Sequence, residues 1–128
     1  PAAALSRQYA ALREGHCGLL PESQIGPMAR IQIARDAAMA QTAREAMRPG
    51  QAVLLVAGSG HVLRSIGVPT HWSANIKSKV VVAQAGKAQT ATTLIAKDAD
   101  AVVETPALPP RDACAELRQQ WQRPAAAR

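Results

Sequence analysis

The chain has 128 residues, of which 48% are hydrophobic and 19% are charged, a composition typical of one globular domain with a modest core. The core must be aliphatic, because the only aromatic residues are two tryptophans and one tyrosine. The net charge of +6 comes from scattered basic residues without interleaved aromatics, which argues against a nucleic-acid site and is compatible with an anionic ligand.

The first 48 residues have a helical pattern. Residues 3–14 form one predicted helix, and Pro21 opens a short helical turn. Gly26-Pro27 is expected to begin a longer helix, with proline at its first position. This helix runs to about Arg48, because Pro49-Gly50 stops it.

Strands and turns alternate after this point. Branched apolar runs predict buried strands near residues 52–57, 79–84 and 101–105, because both faces of a buried parallel strand are covered. The predicted fold is therefore α/β, with a mainly parallel sheet and flanking helices. Three strands leave open edges, so we expect an incomplete domain or a partner chain. The remaining predicted segments are a short helix from Pro69, an ambiguous segment over 86–98, a last helix from Arg111-Asp112 and a disordered tail over 124–128.

The most informative motif is a glycine turn that follows the first predicted strand. Val53-Leu54-Leu55-Val56 leads into Gly58-Ser59-Gly60 and then into His61. Ligands of open α/β sheets collect beyond the carboxyl ends of such strands, so the turn is expected to hold a binding or active site. The alternative is a histidine that caps a helix or satisfies a core carbonyl. The motif fits neither a dinucleotide fingerprint nor a P-loop.

One face of the long helix has an unusual composition. At helical spacing, Met28, Gln32, Arg35 and Met39 share a stripe, with Asp36 at its margin. An arginine is rarely buried without a partner. Three alternatives follow: Arg35 pairs with a carboxylate at an interface, this face lines a polar pocket, or it is plain surface.

Several motifs together resemble the ChaN-like haem-binding proteins, a branch of the Tiki/TraB/erythromycin-esterase-like superfamily. Gly58-x-x-His61 is similar to the second of two Gly-x-x-His motifs of that superfamily. The resemblance is to the family's carboxy-terminal half, and it implies an incomplete domain. Its supporting stretches are His16-Cys17-Gly18, Gln32-x-x-Arg35-Asp36-x-x-Met39-Ala40, Gly58-Ser59-Gly60-His61-Val62, Gly67-Val68-Pro69, and Ala99-Asp100 through Thr105-Pro106-Ala107 to Asp112-Ala113-Cys114.

The resemblance implies a pocket between a helical lid over residues 1–48 and an α/β core over 49–123. It further implies haem binding in iron uptake, in the periplasm or attached to the membrane as an envelope lipoprotein, with a homodimer possible. Whether the protein is an enzyme is left open. No transmembrane segment or nucleic-acid partner is expected. One alternative is a metal-dependent hydrolase in which His16, His61 and Asp36 hold a divalent ion and activate water. Another is a structural module without a ligand.

The candidate haem site follows from iron chemistry and from the resemblance. Haem iron accepts histidine, tyrosine, methionine or cysteine ligands, and arginine pairs with propionates. His61 and His16 are the predicted iron ligands, whereas Tyr9 by default packs and His71 by default lies on the surface. The full predicted set is His61, Arg35, Gln32, Asp36, His16, Gly58 and Gly60, with Tyr9, Met28 and Met39 as alternative iron ligands.

The two cysteines allow two interpretations. Cys17 and Cys114 either form one disulfide, as in many envelope proteins, or remain free thiols. We favour the free thiols, with Cys114 packed against Leu117 and Trp121 and Cys17 beside the site.

Overall fold

The fold is mixed α/β, as predicted. A computed structural model describes residues 2–86, 97–109 and 111–122. Within these ranges the elements are α1 (Ala2–Gly15), α2 (Glu22–Ala46), α3 (Ser59–Val62), a 3-10 helix (Val68–His71), β1 (Val81–Ala85), β2 (Ala101–Thr105) and α4 (Ala113–Gln122). The predicted disordered tail and most of the ambiguous segment 86–98 lie outside the described residues.

The predicted start of the long helix is wrong. Instead of a short turn at Pro21 and a helix from Gly26-Pro27, one helix begins at Glu22, with Pro21 at its N-cap position. Pro27 lies inside this helix. Pro27 is the sixth residue of the helix and lies beyond the first four N–H groups, so it removes the hydrogen bond that residue 27 would otherwise donate to the Ser23 carbonyl.

The first helices pack around a small aliphatic core. Leu12 of α1 is buried against Ile25 and Ala29 of α2, and Ala29 has no exposed surface. The half-buried Tyr9 and Met28 pack against the same cluster. An alanine at the contact removes side-chain bulk between the two helices, so α1 can lie directly on α2.

The sheet is smaller than predicted. In the described part of the chain, β1 and β2 form a parallel pair in which Val81 lies opposite Ala101 and Ala85 opposite Thr105. The strand predicted near residues 52–57 is wrong, because residues 51–58 have no regular secondary structure. Leu54 and Val56 are 87% and 83% exposed. An apolar run becomes a buried strand only when neighbours cover it, and the described sheet offers this segment no paired strand.

A buried carboxylate connects α1 to the second half of the chain. Asp98 accepts a hydrogen bond from the Arg7 guanidinium at 2.6 Å and another from the Ser65 hydroxyl at 2.9 Å. Arg7 also donates to the Ser65 hydroxyl. Because Asp98 is buried and doubly hydrogen-bonded, this contact fixes the amino-terminal helix against the segment that follows α3.

A second carboxylate holds the start of the sheet. Asp100 accepts a hydrogen bond from the Val80 backbone N–H at 2.5 Å and pairs with Arg64. The Val80 hydrogen bond first, and the Arg64 hydrogen bond next, hold the pKa of the Asp100 carboxyl below its usual range. The ionised carboxylate therefore stabilises the entry to both strands.

The cysteines form a disulfide, so the favoured interpretation as free thiols is wrong. The Cα atoms of Cys17 and Cys114 are 5.6 Å apart, inside the range that a bridge requires. Cys17 and Gly18 both adopt left-handed backbone conformations, with φ of 54° and 69°, and reverse the chain between α1 and α2. The bridge ties this reversal to α4. Within the described ranges, no helix is long and apolar enough to cross a membrane.

Candidate functional site

The glycine turn places His61 on a single turn of helix. The predicted turn is present: Gly58 precedes α3, and the His61 N–H donates to the Gly58 carbonyl at 2.9 Å. The buried Gly67 lies against the backbone of His61, where an added Cβ would be 2.2 Å from the His61 carbonyl oxygen. A side chain larger than hydrogen therefore does not fit at Gly67 without moving His61.

His61 is hydrogen-bonded to a buried carboxylate of α2. Its Nδ1 lies 2.6 Å from Oδ1 of Asp36, whose side chain has no exposed surface. The other carboxylate oxygen, Oδ2, is also buried and has no hydrogen-bond partner among the described residues. A buried carboxylate with one unsatisfied oxygen is costly, and such groups concentrate at functional sites.

Two opposing effects act on Asp36. Burial raises the pKa of its carboxyl, whereas the hydrogen bond from His61 and the nearby charges of His61 and His71 act in the opposite direction, and burial dominates. Among the described residues, the imidazole of His61 is the side chain hydrogen-bonded to the Asp36 carboxylate, so it is the chief group that stabilises the negative charge. A carboxylate in this position orients His61, because it accepts the Nδ1 hydrogen and leaves Nε2 available.

His16 is oriented in a similar way. Its Nδ1 lies 2.8 Å from the carbonyl oxygen of Leu12, one turn earlier in α1. A carbonyl oxygen only accepts, so Nδ1 carries the hydrogen and Nε2 of the neutral ring has the free lone pair. Both histidines thus have Nδ1 engaged and Nε2 available to a ligand.

The two histidines line one cavity between α1, α2 and α3. Its volume is about 190 Å³, and its lining includes His16, Gln32, Gly60 and His61. The structure therefore brings these four predicted residues together, with Asp36 buried behind His61. The cavity also includes Gln8, Ala11, Leu12, Gly15 and Ile66.

The other predicted residues lie outside this lining. Arg35 is exposed, Met39 is half-buried, and Tyr9 and Met28 pack against the α1–α2 core. Gly58 lies just before α3 rather than in the cavity wall.

Three residues that matter to the site were missed by the sequence reasoning. Gln8 and Ile66 line the cavity, and Gly67 supports the His61 backbone. The signal for Gln8 was present, because a glutamine stood on the otherwise apolar side of α1. Gly67 stood only within the Gly67-Val68-Pro69 stretch that supports the family resemblance.

The divalent-ion alternative gains no support from the geometry. Among the described residues, no group of three histidine, cysteine, aspartate or glutamate side chains is arranged to hold a metal ion. Asp36 directs its Oδ1 at His61 rather than at a site shared with His16. The three-ligand arrangement of a hydrolytic metal site is therefore not assembled in this part of the chain.

Comparison with known proteins identifies the family. The sequence profile of the family described as haem-binding uptake, Tiki superfamily, ChaN matches residues 1–72, which is more than half of the 128 residues. The chain belongs to this family, as the resemblance had indicated. The matched range contains every residue of the predicted site. Searches of curated proteins and of solved structures found no match.

Proposed function

We propose that this protein binds haem at the cavity between α1, α2 and α3, with Nε2 of His61 as an iron ligand. The observation that carries the proposal is the pair of cavity histidines whose Nδ1 atoms are both held by an acceptor, Asp36 for His61 and the Leu12 carbonyl for His16. Histidines that bind metals almost always donate their second nitrogen to a carboxylate or a backbone carbonyl. The residues present thus fit a haem iron, which accepts imidazole.

The remaining roles follow from where the side chains lie. His16 is the candidate for a second iron ligand, and Gln32 provides a polar contact in the same wall. Arg35 has no ion-pair partner among the described residues and lies exposed on α2, so it is the proposed partner of a propionate.

The size of the cavity bears on how haem is covered. At about 190 Å³ it is smaller than the roughly 300–1,000 Å³ of pockets that enclose drug-sized ligands. A haem held by His61 therefore extends beyond the cavity, and one of its faces is left uncovered. We propose that a second copy of the chain covers this face. The mass of the haem-loaded protein in solution tests this, because it should then be that of a dimer.

The proposed setting is haem or iron uptake in the cell envelope, either in the periplasm or attached to the membrane as a lipoprotein. The family name supports haem uptake. The Cys17–Cys114 disulfide supports an oxidising compartment, because such bonds are rare in reducing cytosol.

Titration with hemin tests the proposal directly. We expect a Soret band shifted from that of free hemin, and loss of this shift in His61→Ala. His16→Ala is expected to weaken binding or to change the spectrum. His71→Ala is the comparison variant: His71 does not line the cavity, but its charge acts on Asp36, so we expect a smaller loss of affinity than in His61→Ala. Equal hemin affinity and an identical spectrum in wild type and His61→Ala would refute the assignment of His61.

A second variant tests the role of the carboxylate. Asp36→Asn keeps the shape of the side chain but removes the anionic acceptor, and partners of this kind typically change metal affinity by about 10- to 100-fold. We expect a loss of hemin affinity in this range and a higher iron midpoint potential, because the imidazole becomes a weaker donor. Asp112→Asn makes the same substitution at the exposed start of α4 and should change neither quantity.

A further inference from the structure

A second, larger cavity lies on the other side of α3. Its volume is about 540 Å³, and it is bounded by the end of α2, the irregular segment 51–55, the 3-10 helix and residues 76–81. No described residue lines both cavities: His61 belongs to the first, whereas its neighbour Val62 belongs to the second. The volume is within the range typical of small-molecule sites.

The interior of this cavity is apolar. Met47, Leu55, Val68, Trp72 and Ile76 contribute to its wall. The indole N–H of Trp72 donates to the Ala40 carbonyl at 3.3 Å, so the ring is held in place. A fixed apolar wall of this kind suits a hydrocarbon body.

The charged residues around the cavity all have the same sign. Arg44, Lys77 and Lys79 line it, and no Asp or Glu belongs to the described lining. Lys79 is close enough to Asp100 to lower the pKa of that carboxyl, so its charge is partly balanced. Arg44 and Lys77 have no ion-pair partner among the described residues. The cavity therefore presents two uncompensated cations beside an apolar wall.

We propose that this cavity binds an amphipathic carboxylate of the fatty-acid class, with its hydrocarbon chain against Trp72 and its head group at Arg44 and Lys77. The positive charges of Arg44 and Lys77 favour an anionic head group, and the apolar wall favours a hydrocarbon chain over a compact ion such as phosphate. The site is separate from the proposed haem cavity, and it stands whether or not His61 binds iron.

A chain-length series is the first test. Trp72 reports on occupancy by fluorescence, and a Trp121→Phe background removes the other tryptophan, which is half exposed on α4. From octanoate to dodecanoate, the affinity should rise about fourfold for each added methylene until the cavity is full. An affinity that does not depend on chain length would overturn the proposal.

The second test separates the head group from the chain. In the double variant Arg44→Gln/Lys77→Gln, dodecanoate affinity should fall by about tenfold or more, whereas 1-dodecanol affinity should change less than twofold. Both residues are exposed, so the substitutions do not open the core. Arg30→Gln/Arg118→Gln removes two positive charges at exposed positions of α2 and α4 that line neither cavity, and it is the charge-matched control. Equal losses in the control and the double variant would contradict a specific head-group contact.

The third test distinguishes this site from haem binding, since haem also combines an apolar body with carboxylates. His61→Ala should retain dodecanoate affinity, and hemin bound at stoichiometric amounts should leave it unchanged. Competitive displacement of dodecanoate by one equivalent of hemin would show that the cavity is part of the haem site and would overturn the proposal of a second ligand.

Discussion

Gly67→Ala tests how closely the backbone supports His61. The glycine has φ of −98° and ψ of −158°, an extended conformation that alanine adopts freely. The effect of the substitution therefore depends on the contact between the added Cβ and the backbone of His61. The added Cβ would lie 2.2 Å from the His61 carbonyl oxygen and 2.5 Å from its carbonyl carbon.

The size of the effect follows from this overlap. Ordinary contact begins near 3.4 Å, so the two backbone segments must separate by about 1.2 Å. Overpacking of this kind typically costs about 1–3 kcal/mol in the free energy of unfolding. A comparable movement of His61 would stretch its 2.6 Å hydrogen bond to Asp36, and we expect hemin affinity to fall by about tenfold or more.

Denaturant unfolding and hemin titration measure the two consequences. Gly58→Ala is the control, because its φ of −59° also suits alanine and its added Cβ would meet only Cδ2 of His61 at 3.9 Å. That variant should stay within about 1 kcal/mol of wild type and bind hemin normally. If Gly67→Ala matches Gly58→Ala in both measurements, the close approach of Gly67 to His61 is not a constraint and the reasoning fails.

Two further predictions concern the disulfide and acid stability. The double variant Cys17→Ser/Cys114→Ser should lose up to about 4.7 kcal/mol of unfolding free energy on the chain-entropy model, because the bridge closes a separation of 97 residues. Two titratable thiols in the unreduced, denatured wild type would contradict the bridge. The pKa of Asp100 is lowered in the fold, so its contribution is present above the unfolded pKa and is lost as pH falls through the lower folded value. Asp100→Asn should therefore be less stable than wild type at pH 7, and urea titrations should show that the difference in unfolding free energy shrinks below about pH 4. A difference that does not change with pH would argue against this linkage.

The helices and the histidine turn could be predicted because their signals are local. The apolar side of α1, the proline and glycine that end α2, and the glycines before His61 act within a few residues of the structure they produce. The last two strands also followed from their apolar runs. Their parallel arrangement is the simplest one when a long connection separates two strands.

The segment around Leu54 shows where such patterns fail. Its apolar run has the composition of a buried strand, but burial depends on neighbours that the run itself does not specify. The segment instead contributes to the wall of the larger cavity, and Leu54 is mostly exposed. The disulfide is a similar case, since Cys17 and Cys114 are 97 positions apart and no local pattern specifies their proximity.

The geometry of the candidate site depends on contacts between parts of the chain that are distant in sequence. His16 directly follows α1 and His61 belongs to α3, so the cavity keeps its shape only while these two elements are held in one arrangement. The disulfide begins one residue after His16, and the Arg7–Asp98 ion pair holds the middle of α1. Gly67 lies directly against the backbone of His61 and limits its position. Weakening any one of these contacts should therefore lower hemin affinity even though none of them touches the ligand, and bound hemin should in turn raise the stability of the whole arrangement.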